Sequence, residues 1–210
     1  MHIYFVRHGE TELNRQGAYY GAMDVPLTAR GHGQAMKIGN WLSGIFFEKV
    51  YISDKIRARE TAEDILKKTA IAHAKPHICE EPELSELDFG CFEGLTNAQV
   101  QEKFPDIYHQ WCMDWQGFEL PGGENFSAFF ERVRSTFFRI LEEADKLLAK
   151  NILICAHNGT LRVIFAVMCG LSLEGTWHFN FEQDAYSKAD YEWGNFTIRK
   201  INVTAPDAME

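Results

Sequence analysis

The chain has 210 residues, 46% of them hydrophobic and 24% charged, and a net charge of −9. That is the make-up of a globular protein long enough to bury a sizeable core, read as one domain over residues 1–203 followed by a frayed tail at 204–210. The acidic balance argues against a broad nucleic-acid or anionic-membrane surface, since both require excess positive charge. A small anionic substrate is still admissible where a few arginines gather. Cys79, Cys91, Cys112, Cys155 and Cys169 form no C-x-x-C pair, which fits a reducing compartment. Cys155 and Cys169 lie in apolar runs and are expected in the core. The N-terminus runs straight into a strand instead of a signal peptide, and no apolar run reaches membrane-spanning length, so a cytoplasmic location is expected.

Residues 2–6 (HIYFV) are apolar and rich in β-branched and aromatic side chains, the pattern of a buried strand. Thr28 leads into a helix over about 31–43. Val50-Tyr51-Ile52 is a second strand, followed by a helix with Ile56, Ala62, Ile65 and Leu66 as its apolar positions. Residues 76–80 read as another strand. The stretch 81–123 is irregular apart from a short helix near 96–103. A long amphipathic helix follows at about 124–148, with Phe126, Phe130, Val133, Phe137, Ile140 and Leu141 on one side. Ile152-Leu153-Ile154-Cys155 is continuously apolar, as a central parallel strand is, and a helix starts near Thr160. Residues 185–192 and 195–203 form a hairpin about Gly194-Asn195. Strand–helix alternation ending in a hairpin predicts a three-layer α/β/α sandwich with a mostly parallel central sheet and an antiparallel edge. Ligands of such sheets bind beyond the C-terminal strand ends.

Three of those ends carry polar residues of one kind: Arg7-His8-Gly9-Glu10-Thr11; Ser53-Asp54 with Arg57 behind it; and Ala156-His157-Asn158-Gly159. A neutral imidazole can attack phosphorus and split one hard step into two. Arginines pair with phosphate oxygens and depress a neighbouring histidine's pKa, keeping it the free base. Glycines beside the histidines would let backbone N–H groups approach the phosphate. A leaving alkoxide needs a proton, and Glu83, Glu86 and Asp88 are the candidate carboxylic acids, held protonated by burial and by the phosphate. The residue types alone do not separate these three.

Arg7-His8-Gly9-Glu10-Thr11 with Asn14 resembles the signature of the histidine phosphatase superfamily, also called phosphoglycerate mutase-like. Three further segments match that family in order: Pro26-Leu27-Thr28-x-x-Gly31-x-x-Gln34-Ala35, Ser53-Asp54-x-x-Arg57-Ala58-x-x-Thr61-Ala62 and Glu86-x-x-Phe89-Gly90-x-x-Glu93-Gly94. His157 falls where the family places its second histidine. The resemblance implies His8 as phosphorylated nucleophile, Arg7, Arg57 and His157 holding the phosphate with help from Asn14 and the backbone near Asn158, and Glu86 as proton donor. It implies no metal or organic cofactor. Two positions depart from the pattern: Asn158 replaces a commoner Gly, and Tyr20 stands where a small hydroxyl residue often precedes Gly21. The eight histidines include no H-E-x-x-H motif, and His2, His32, His73 and His77 read as surface residues.

Between Lys103 and Arg132 there is no Lys or Arg, whereas Tyr108, Trp111, Trp115 and Phe118 alternate with Asp106, Asp114, Glu119 and Glu124. That segment disfavours the second anion site of a mutase and suits a neutral or cationic ring. Trp111-Cys112-x-Asp114-Trp115-Gln116, Gly122-Gly123-Glu124 and Trp177-His178-Phe179 are similar to the α-ribazole phosphatase branch of the family. The resemblance implies α-ribazole 5′-phosphate as substrate, in assembly of the cobalamin nucleotide loop. A broad-specificity phosphatase would share every catalytic residue.

Overall fold

The computed structural model describes residues 1–69 and 76–207. Its strands are β1 (His2–Arg7), β2 (Lys49–Ile52), β3 (His77–Glu80), β4 (Asn151–Ala156), β5 (Tyr186–Glu192) and β6 (Asn195–Val203), joined in one sheet of order β3-β2-β4-β1-β5-β6. The first four in that order run parallel, and β5 and β6 add an antiparallel edge. Helices α1 (Glu12–Gln16), α2 (Ala29–Trp41), α3 (Ile56–Leu66), α4 (Asn97–Lys103), α5 (Pro105–Met113), α6 (Phe126–Lys146) and α7 (Asn158–Met168) complete the chain. With α2 and α3 on one face and α6 and α7 on the other, this is the expected α/β/α sandwich of phosphoglycerate mutase-like form.

The central strands lack polar alternation because both their faces are covered. Ile3 and Phe5 of β1 pack with α6 and α7, whereas Tyr4 and Val6 pack with α2 and α3. Fully burying each such side chain contributes about 1.5–3 kcal/mol. The neighbours β1 and β4 then send the chain opposite ways, β1 towards α2 and β4 into α7. That parting opens a crevice at their C-terminal ends.

The structure departs from expectation at several points. The irregular stretch contains a second helix, α5, started by Pro105 at its first turn, where a missing N–H costs nothing. Helix α3 is rotated so that Arg57 is fully buried while Ile56 is 37% exposed; the buried guanidinium is accounted for by the bonds described below. Cys155 is buried, but Cys169 is exposed, because α7 ends at Met168 and the chain turns outward through Gly170 at φ +65°. The tail is not frayed as far as Asp207. Its N–H donates to Trp41 O, and its carboxylate accepts from Tyr4 Oη (2.7 Å), Lys188 Nζ (3.0 Å) and Lys200 Nζ (2.5 Å). Burial opposes that charge, yet these donors outweigh it and hold Asp207 at about 2. The rest of the tail, 208–210, and His73 lie outside the described residues.

Candidate active site

The register of β1 on β4 pairs Arg7 with Ala156, so the next residue of each strand, His8 and His157, emerges side by side. The His8 N–H donates to Ala156 O at 2.9 Å, and the two imidazole centroids lie 5.1 Å apart. β2, on the other side of β4, leads directly into Ser53, whose hydroxyl lies 2.7 Å from His157 Nε2. Arg57, the second residue of α3, donates from Nε to His157 Nδ1 at 3.3 Å. Arginine is always a donor, so His157 is protonated at Nε2 and donates that proton to Ser53. His8 donates its own Nδ1–H to Gly9 O at 2.8 Å, which leaves Nε2 with the lone pair. The fold thus presents one imidazole lone pair without a partner, that of His8 Nε2, among cations.

Both rings are held neutral. Burial pushes each pKa well below the ordinary histidine value, and the positive charges of Arg57 and Arg7 push the same way. This sets a sign for acid stability. Below about pH 6.5 the unfolded imidazoles take up protons that the folded ones refuse, so their full stability is present above that pH and is lost as the pH falls. Each contributes a slope of up to about 1.4 kcal/mol per pH unit. Urea titrations across this window are expected to give a shallower pH slope for His8→Ala than for the parent chain, by up to that amount. Equal slopes would mean that His8 already takes a proton when folded.

Arg57 has five N–H donors. Three are spent on His157, Met23 O (2.7 Å) and Gly21 O (2.9 Å), leaving two without a partner among the described residues. The loop bearing those carbonyls is itself pinned by Glu93, whose carboxylate accepts the N–H groups of Gly21, Ala22, Met23 and Phe89. Tyr20 lies under the guanidinium at 4.7 Å, edge-on to His8, and shares a 2.7 Å hydrogen bond with Thr11 Oγ1. It therefore walls the site where a small residue would leave a gap. Arg7 donates from Nη1 to Phe181 O at 2.8 Å, while its Nε is buried without a partner among the described residues. An orphaned donor of this kind costs about 1–3 kcal/mol, which an arriving phosphate oxygen would relieve.

Asn14 completes the capping box with Thr11 that starts α1, and Gln183 Nε2 donates to its Oδ1 at 2.7 Å; Nδ2 has no partner among the described residues. The side chain of Asn158 donates to Asn180 Oδ1 and accepts the Phe181 N–H, so it steadies the carbonyl that holds Arg7 and leaves its backbone, at the start of α7, as the group open to an anion. The glycines act otherwise than expected. Gly9 N–H is taken by Thr61 Oγ1 and Gly159 N–H by Glu86 Oε2, at 3.0 and 2.8 Å. What they supply is room: a Cβ on Gly9 would strike the Gly31 carbonyl, and one on Gly159 the Glu86 carboxylate.

Of the three candidate acids, Glu86 is the one that reaches this centre. Besides Gly159, Leu87 N–H donates to its Oε1 at 3.1 Å. Its loop is clamped by Arg132, which donates to the carbonyls of Glu83, Ser85 and Glu86 and pairs with Glu124. Asp88 instead accepts the Gly90 N–H. Glu86, Tyr19, Phe89 and Asn158 line both a pocket of about 240 Å³ around His8 and a neighbouring cavity of about 410 Å³. Trp111, Trp115, Phe126, Phe129 and Trp177 form much of that cavity's wall. Trp115 and Trp177 meet edge to face at 5.4 Å, and Phe126 stacks on Trp177. Tyr108 and Phe118 pack instead in a satellite core with Phe92 and Leu120. Asp106, Asp114, Glu119 and Glu124 do not line the cavity; its charged lining residues, among those described, are Glu86 and Arg162.

Arg162, Glu93 and Gln183 drew no role from the sequence. Arg162 was legible in principle, standing four residues after Asn158 on the same face of a helix that opens at the site. Among the described residues no group of three or more His, Cys, Asp and Glu side chains is placed to hold a metal ion. His2 and His32 each sit at 2.6 Å from a carboxylate, of Asp190 and Asp64 respectively. No helix among the described residues is long and apolar enough to cross a membrane.

Residues 3–204 match the Histidine phosphatase superfamily (branch 1). The chain is 34% identical over 205 residues to an adenosylcobalamin/alpha-ribazole phosphatase of Escherichia coli K12, covering 98% of this chain and 97% of that one. It is 29% identical over 204 residues to phosphoserine phosphatase 1 of Hydrogenobacter thermophilus, covering 96% and 92%. The crystal structure of the alpha-ribazole phosphatase from Shigella flexneri superposes with a TM-score of 0.90 at 33% identity, covering 100% of both chains.

Proposed function

The chain belongs to the histidine phosphatase superfamily, and on that premise we propose that it hydrolyses α-ribazole 5′-phosphate through a phosphohistidine on His8. The observation that carries this reading is the junction at Glu86, where the cationic pocket around His8 opens into the aromatic cavity. A phosphoryl group on the first side and a flat nucleoside on the second place the scissile oxygen beside a carboxyl group.

In the first step the Nε2 lone pair of His8 attacks phosphorus, and the P–O bond to the sugar breaks as Glu86 delivers its proton to the leaving oxygen. Arg7 and Arg57 hold the phosphate oxygens as negative charge redistributes among them, and His157 joins them by turning its Nε2–H from Ser53 to a phosphate oxygen. Asn14 Nδ2 and the backbone N–H at Asn158 add donors. In the second step Glu86, now a carboxylate, takes a proton from water as its oxygen attacks phosphorus; inorganic phosphate leaves and the neutral imidazole returns. The aromatic walls suit a benzimidazole ring, stacked as aromatic pairs are. The location of these side chains fits a small-molecule phosphate ester.

The test is phosphate release in excess EDTA from α-ribazole 5′-phosphate, O-phosphoserine, 3-phosphoglycerate, simple mononucleotides and p-nitrophenyl phosphate. A kcat/KM for α-ribazole 5′-phosphate at least tenfold above the others is the expected result. Comparable rates on all would favour a broad-specificity phosphatase, a reading supported by the open rim of the cavity, where Trp177 is 57% exposed.

A further inference from the structure

Arg162 is a charged side chain of the aromatic cavity that the phosphoryl-transfer steps leave unused. It stands on α7, one turn beyond Asn158, with its guanidinium 5.3 Å from the centre of the Trp177 ring. Only Nη2 has a partner, Asn180 Oδ1 at 3.0 Å. Nε is buried and unpaired, and Nη1 has no partner among the described residues and is not sealed off. Burial lowers its pKa, and the nearby carboxylate of Glu86 opposes that shift. A half-buried cation with unmet donors, in walls otherwise largely aromatic, calls for an oxygen acceptor from the ligand.

We propose that Arg162 is a specificity-determining residue, donating hydrogen bonds to the sugar hydroxyls of the leaving group. The inference rests on the reading that the aromatic cavity holds that group, and deepens it. Position supports a hydroxyl acceptor: Arg162 and Glu86 line the same cavity, so its donors lie on the leaving-group side of the scissile oxygen. Asn180 and Trp177 fix the fork from two sides, so the donors are held in place before the ligand arrives.

The test compares adenosine 5′-phosphate with its 2′,3′-dideoxy analogue, as kcat/KM or, where turnover is slow, as Ki against p-nitrophenyl phosphate hydrolysis. Neither compound carries dimethylbenzimidazole, so the result is independent of the preference for α-ribazole 5′-phosphate. The parent chain is expected to favour the ribose compound by roughly 10–100-fold, the worth of hydrogen bonds to a charged donor, with the difference in KM instead of kcat. In Arg162→Met the ratio is expected to collapse to near one, and in Arg162→Lys, which keeps the charge without the fork, to fall between. A parent ratio of one, or equal ratios in parent and Arg162→Met, would overturn the assignment. So would a loss in Arg162→Met that falls chiefly on O-phosphoserine, which would make the acceptor a carboxylate.

Discussion

His8→Ala is expected to lower kcat by roughly 10⁵-fold or more, since it removes the atom to which phosphorus bonds and no neighbour replaces it. His157 is the nearest imidazole, but its Nδ1 is occupied by Arg57 and its Nε2 carries the proton given to Ser53. Substrate should still bind, because Arg7 and Arg57 are untouched. The expected signature is therefore a collapse in kcat with KM changed by less than about tenfold. Steady-state kinetics with a circular dichroism check of folding reads this out. Activity within about tenfold of the parent, from folded protein, would show that another group takes the phosphoryl.

Replacing Glu86 by Gln should cost about 10²–10⁴ in kcat for alkyl phosphates, the usual contribution of a positioned proton donor. The loss should shrink markedly with p-nitrophenyl phosphate, whose phenolate leaves without being protonated. Gln keeps the shape and one acceptor oxygen for the Gly159 or Leu87 N–H, so the loop should stay in place. An equal loss on both ester types would mean that Glu86 positions the site and donates no proton.

The parallel core was legible because its strands are apolar on both faces, and two adjacent apolar strands each ending in a histidine predict a shared site. What required coordinates was anything decided by tertiary contact. Arg57 is buried and Ile56 exposed, the reverse of what hydrophobicity alone suggests, because α3 turns to satisfy carbonyls at Gly21 and Met23. Helix α5 lacked a clean apolar period, since its aromatics divide between the satellite core and the cavity wall. The acidic residues of 106–124 read as cavity lining by proximity in sequence, yet Asp114 bonds the Gly117 N–H and Glu124 pairs with Arg132. A glycine's role has two readings in sequence, a free N–H or a missing Cβ, and at Gly9 and Gly159 the second holds. Asp207 illustrates the same limit at the tail: its anchors, Tyr4, Lys188 and Lys200, come from three strands.

The central claim is that His8 carries the phosphoryl group between substrate and water. It is tested most directly by mixing enzyme with substrate, quenching in alkali within the first turnover and mapping the phosphorylated peptide by mass spectrometry. The account predicts one phosphoryl group on the peptide containing His8, stable in base, lost in acid, and absent from His8→Ala. A phosphoryl group on another residue would contradict it, as would one-step transfer to water with inversion at a chiral phosphorus.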